Sequence, residues 1–251
     1  MGRFALILGL IGAVLAFEGG SAQAEPRYPI VVELYTSQGC NSCPPADAYL
    51  GSLKARRNIV ALSFHVSYWD YLGWRDTFAL EEGTARQQRY AQTLGERTIY
   101  TPQIVVGGLY HEVGSRHKAV DYAIRKIAVA QRGDDQENVS VAFREMPAGT
   151  LVVDIGEGRV FNRNVTIWLF VFDAYHEVRV KGGENGGRVL GYHNVVRQIR
   201  DLGEWYGKAR SVSLDLAQLS QAGEGVAVVV QEKDSGRVLG AQQIQLAELP
   251  R

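Results

Sequence analysis

Cys40 and Cys43 are the only cysteines in the chain, and they stand two residues apart between an apolar run, Ile30 to Tyr35, and a helical stretch, Ala46 to Lys54. A pair this close closes a loop too small to restrain the unfolded chain much, so its placement points to chemistry rather than to stapling. Nor does the chain need a staple. With 251 residues, 46% of them hydrophobic, it can bury a sizeable core unaided. Its 27 basic residues balance 27 acidic ones, which excludes a polybasic nucleic-acid binder, and the apolar content excludes a disordered tail.

The first residues set the expected compartment. Arg3 gives a short positive start, Phe4 to Phe17 is almost wholly apolar, and Ala22-Gln23-Ala24 supplies a small-x-small pattern before Glu25. This reads as a secretory signal over residues 1–24, with an uncleaved anchor as the alternative. The apolar run is shorter than the roughly 20 residues a membrane span needs, so no span is expected after cleavage. Removing the segment takes one Arg and one Glu and leaves the charge balanced. The expected location is periplasmic or secreted, an oxidising setting in which a close cysteine pair can cycle or stay oxidised.

Hydrophobic periodicity divides the rest. From Tyr28 to about Arg132, strand-like runs (Ile30 to Tyr35, Ile59 to Val66, Gln103 to Val106, Leu109 to Val113) alternate with helical stretches (Ala46 to Lys54, Thr77 to Thr93, His117 to Ala130). Prolines at 44 and 45 place the start of the first helix at about Pro44. A polar run, Arg132 to Glu137, then breaks the pattern. Beyond it, Val139 to Glu145, Leu151 to Ile155, Val165 to Phe172, Ser211 to Leu216, Val226 to Gln231 and Val238 to Leu246 read as strands, with the Gly182 to Gly187 segment as a flexible loop or hairpin tip. The expected organisation is an α/β domain over 25–133 and a smaller antiparallel β-rich, sandwich-like domain over 134–251.

The order strand, Cys-x-x-Cys, helix, strand, helix, Thr101-Pro102, hairpin, helix resembles the thioredoxin superfamily. More narrowly, Leu34 to Asp47 (LYTSQGCNSCPPAD), Ser63-Phe64-His65-Val66 with Tyr68-Trp69-Asp70, Tyr100-Thr101-Pro102-Gln103 and Tyr192 to Arg197 resemble a bacterial exported thioredoxin-like family known only as a domain of unknown function. The resemblance implies a thioredoxin-like fold for the first domain, with Cys40 as an exposed attacking thiol and Cys43 as the buried resolving one. It also implies a cis Pro102 beside the pair, with Thr101 and Pro102 lining the site. Glu33 is then a candidate proton relay for Cys43, against the plainer reading of a solvent-facing strand residue.

Further candidates surround that pair. His65 near a strand's end, and Tyr68, Trp69 and Trp74 just after it, are expected to lie about the cysteines, either as core or as a substrate platform. His193 and Arg197 follow the glycine-rich loop and carry little spacing information. Three functions remain open. The first is a thiol-disulfide oxidoreductase using Cys40 and Cys43, without a cofactor, whose partners are protein or small-molecule thiols and an external redox protein. The second is a copper (or other soft-metal) module with Cys40, Cys43 and His65 as ligands. A non-catalytic adaptor presenting Trp69 and Trp74 is the third, favoured if Cys40 proves buried. Zinc-hydrolase, P-loop and nucleophile-elbow motifs do not occur in the chain.

Overall fold

The computed structural model describes residues 28–133, 137–147, 149–159 and 164–249. The expected signal segment, 1–24, lies outside them. In chain order the elements are β1 (Ile30–Thr36), α1 (Pro44–Lys54), β2 (Ile59–His65), α2 (Glu81–Thr93), β3 (Gln103–Val106), β4 (Tyr110–Val113), α3 (His117–Gly133), β5 (Val141–Met146), β6 (Thr150–Ile155), β7 (Val165–Arg179), β8 (Val189–Glu204), β9 (Arg210–Asp215), α4 (Leu216–Ala222), β10 (Gly225–Glu232) and β11 (Val238–Gln245).

The expected α/β thioredoxin-like domain followed by a separate sandwich-like domain is not what the chain builds. Strands from both sides of residue 133 form one mixed eight-stranded sheet, ordered β11-β10-β7-β8-β2-β1-β3-β4, and β5, β6 and β9 form a second, three-stranded sheet. With four α-helices among the described residues, the molecule is mostly β. The junction is β8, which pairs antiparallel with β7 and meets β2 in parallel at Ser63 and Val195. Without it the β2 edge would present unpaired backbone groups. Asn194 reinforces the join, because its side-chain amide donates to the Ala61 carbonyl at 2.8 Å from a left-handed backbone (φ 46°).

Burial on both faces explains the long apolar run of β7. Val165, Ile167, Leu169 and Val171 pack with Leu151, Val153 and Ile155 of the small sheet, while Phe170 and Phe172 join Tyr35 and Phe64 on the other face. A strand covered on both sides loses the alternation of a half-exposed one. On β1 the two faces are likewise distinct: Ile30, Val32 and Leu34 pack against α1 and α3, and Val31 and Tyr35 join Tyr90 of α2. Among the described residues no helix is long and apolar enough to cross a membrane.

Candidate functional site: a capped disulfide

Strand β1 ends at Thr36, and the chain turns through Cys40 into α1. The Cys40 N–H donates to the Ser37 carbonyl and the Cys43 N–H to the Cys40 carbonyl. Pro44 then opens the helix, where a missing N–H costs nothing. Cys40 and Cys43 are joined as a disulfide, with S–S 2.09 Å. Both are buried, at 1% and 0% exposure. Cys40 is therefore not the exposed thiol that the resemblance implies.

The cover is the tip of the β7–β8 hairpin. The Asn185 side-chain amide, itself fully buried, donates to the carbonyls of Gln38 (3.0 Å) and Cys40 (2.9 Å). Arg188 Nη1 holds the Asn185 oxygen at 2.6 Å, and the Asn41 N–H reaches Glu184 Oε2 at 3.3 Å. Glycine is needed beneath this tip. A Cβ on Gly182 would lie 2.7 Å from the Gly73 carbonyl oxygen, and Gly183 sits at φ 65° against Trp74. Of the two readings of the glycine-rich segment, flexible loop or hairpin tip, the structure has the hairpin tip, fitted over the cysteine loop.

Trp69 and Trp74 hold the other sides. Trp69 Nε1 donates to Thr101 Oγ1 at 2.7 Å, and its Cβ lies 3.2 Å from where a Cβ on Gly39 would be. This bridges the cysteine loop to the Thr101-Pro102 peptide, which is cis. Pro102 packs with Leu34 and Ala46 around Gly114. Trp74 Nε1 donates to Gln38 Oε1 at 2.8 Å, and the Gln38 N–H donates to Asp76 Oδ2 at 2.7 Å. Tyr68 lies beside Trp69, with ring centroids 6.2 Å apart, and donates its hydroxyl to Gln87 Oε1. Beside Trp69, Tyr71 is 77% exposed and stacks at 6.4 Å between centroids.

A cluster of buried polar side chains lies where β1, β2 and α1 meet. His65 Nδ1 is 2.8 Å from Asp76 Oδ2, both side chains fully buried. Burial alone would raise the Asp76 pKa, but His65 and the N–H groups of Gln38 and Phe78 lower it. The His65 ring also packs edge-on to Tyr192 at 4.7 Å. Asp47 stands one helical turn after Cys43, its N–H donating to the Cys43 carbonyl, and burial raises its pKa to about 7. Neither Asp47 oxygen has a hydrogen-bond partner among the described residues, nor do His65 Nε2, Thr36 Oγ1 or the Tyr192 hydroxyl.

A raised carboxyl pKa has a defined sign. Between its ordinary value of 3.8 and about 7, the folded chain holds a proton at Asp47 that the unfolded chain has released, so stability falls as pH rises through that window. Asp47 alone is expected to remove about 2–3 kcal/mol between pH 5 and pH 8. In the Asp47→Asn chain, urea unfolding at the two pH values should lose that part of the slope. An unchanged slope would refute the assignment.

Glu33 is placed apart from the disulfide, on the α2 face of β1. It accepts from Arg86 Nε at 2.6 Å and Nη2 at 2.9 Å, and from the hydroxyls of Tyr90 at 2.6 Å and Tyr35 at 3.2 Å. His193 packs against Gly51 of α1, and Arg197 sits over the Phe78 ring and 3.5 Å from Asp173. Among the described residues no group of three or more His, Cys, Asp or Glu is arranged to hold a metal. Asp47, Asp76 and Asn185, which sequence reasoning did not single out, are among the buried polar residues that the fold brings to the cysteine loop and its flanks.

Fold and site together define a mostly β protein with one buried Cys-x-x-Cys disulfide, placed where the first strand of a mixed sheet passes into a helix. The chain belongs to the family described as Protein of unknown function (DUF1223), whose model matches residues 31–231. A protein from Agrobacterium tumefaciens solved by X-ray crystallography is 32% identical, over 88% of this chain and 96% of that one, with a TM-score of 0.74. A β-glucosidase from Kluyveromyces marxianus aligns at 9% identity over 45% of this chain and 14% of its own, with a TM-score of 0.19. No curated protein matches the sequence.

Proposed function

We propose that the protein is an exported thiol-disulfide exchange protein whose reacting bond is Cys40–Cys43. The observation that carries this reading is the pairing of the only two cysteines across a three-residue separation, where the bond restrains little of the chain and stands one helical turn before the buried carboxyl of Asp47. An incoming thiolate attacks Cys40 Sγ, forming a mixed disulfide and breaking the bond to Cys43, which leaves as a thiolate. Asp47, on the same face of α1 and largely protonated below pH 7, is the proton source for it. A second external thiol then displaces Cys40. The net reaction turns two thiols into one disulfide while the protein gains two thiols. Cys40 takes the outer role because its Sγ lies 3.4 Å from the hydroxyl of exposed Ser42.

The burial of Cys40 means that the cap must open for exchange. Asn185→Ala removes two hydrogen bonds to the cysteine loop and is expected to speed reduction by a small thiol about tenfold. Equilibration in graded glutathione buffers, with alkylation to trap free thiols, tests the main reading: the bond should titrate reversibly and exchange with a protein disulfide such as insulin. A bond that stays oxidised throughout, in both wild type and Asn185→Ala, would refute it. That result would favour the second reading, which the burial of Cys40 supports: an adaptor with a structural disulfide, presenting Tyr71 and Trp69 to a partner.

A further inference from the structure

On the α2 face of the large sheet, separate from the disulfide, a cavity of about 290 Å³ lies between α2, β7 and β10. Arg86 forms its inner wall, with a side chain only 3% exposed. Its Nε and Nη2 donate to Glu33, Tyr90 and Gln231. Nη1 has no hydrogen-bond partner among the described residues. Arg89, three positions further along α2, stands at the rim and forms no hydrogen bond or ion pair with any described residue. The two guanidinium carbons lie 5.7 Å and 5.5 Å from the centroid of the Trp168 ring, which both share. Of the buried carboxylates near these two permanent cations, Glu33 is already bound in a fork by Arg86, and Glu232 lies in the cavity wall.

The remaining charges at the cavity are engaged. Lys233 pairs with Glu204 at 3.0 Å, Asp201 Oδ1 accepts the Gly203 N–H, and Glu232 Oε2 accepts the Ser235 hydroxyl. The uncommitted donors are therefore those of the two arginines, and the apolar surface beside them is an indole. Arginine presents parallel N–H groups that match a carboxylate, and an aromatic face stacks on flat apolar groups.

We propose that this cavity is a binding site for a small organic monocarboxylate with a flat apolar body, the carboxylate meeting Arg86 Nη1 and Arg89 and the body resting on Trp168. The volume is near the lower end of small-molecule sites, which limits the ligand to about one ring. Asp201 and Glu232 at the wall disfavour a second negative charge on it. The site does not depend on the exchange chemistry of the cysteines, and its test leaves them oxidised.

Benzoate is the probe, with benzamide and benzylamine as neutral and cationic counterparts of the same size. Calorimetry on the purified protein in carboxylate-free buffer should show one benzoate bound per chain at millimolar concentrations or below, with the Trp168 indole N–H shifting in a ¹⁵N-resolved spectrum. Benzamide should bind at least about tenfold more weakly, and Arg89→Gln should weaken benzoate by a similar factor while leaving benzamide unchanged. Arg89→Lys, which keeps the charge and loses the fork, should fall between. No benzoate binding in the millimolar range, preference for benzamide or benzylamine, or equal benzoate affinity in Arg89→Gln would each overturn the proposal. Arg89 is a surface residue, so its variants fold, and the wild-type comparison of the three probes stands without them.

Discussion

The Cys40→Ser chain is expected to lose thiol exchange entirely and to remain folded. The two outcomes separate because the disulfide spans a sequence separation of three residues, so its removal relaxes the unfolded chain by no more than about 2 kcal/mol. The surrounding hydrogen bonds to Gln38, Cys40 and Asn41 involve backbone atoms that the substitution leaves in place. Cys43→Ser should behave differently: it keeps the outer thiol but cannot resolve a mixed disulfide, so it accumulates covalent adducts with its substrates. Mass spectrometry of the two variants after incubation with oxidised glutathione distinguishes them. Exchange by Cys40→Ser at the wild-type rate would exclude the assigned chemistry, and adducts on Cys43 in that variant would reverse the roles of the two cysteines.

Glu33→Gln is expected to cost about 3–5 kcal/mol of stability, because it strands a buried guanidinium. Arg86 is only 3% exposed, makes two hydrogen bonds to this one carboxylate, and lies 4.9 Å from the Phe170 ring and 5.2 Å from that of Tyr90. Its pKa is raised well above the physiological range, because the attraction of Glu33 outweighs burial, so it cannot escape by losing a proton. The glutamine amide cannot serve as a bidentate acceptor. Urea denaturation reads the loss directly, and Glu33→Gln combined with Arg86→Met should recover much of it, since the paired apolar replacement leaves no charge behind. A single-variant loss below about 1 kcal/mol would show that water or rearrangement relieves the arginine.

The strands Ile30 to Tyr35, Ile59 to Val66 and Gln103 to Val106 are legible because apolar runs bounded by turn residues carry their own signal. Pairing is not. The sequence pattern of β8 mixes Val195 and Val196 with His193, Asn194 and Arg197, which hides a 16-residue strand, and β7 runs on to Arg179, past the apolar stretch that ends at Phe172. Those two extensions create the cap, so its role was hidden along with them. The carboxylates show the same limit. Glu33 lies nearer the cysteine pair in the expected topology, yet strand alternation turns it toward α2. Asp47 reads as an ordinary acid in a helix's first turn, and only the packing of the sheet around it buries it.

The cap rides at the end of two long strands whose other ends are bound into the sheet. Its few side chains touch the cysteine loop and the 72–74 turn, and they contribute nothing to the core clusters of β1, β2 or β7. Changes between residues 182 and 188 that keep Gly182, Gly183 and the Asn185 hydrogen bonds therefore act on the cover of the disulfide and leave those core clusters untouched. Within such an architecture, what reaches the disulfide is set by a tip that stands outside the cores holding the scaffold together.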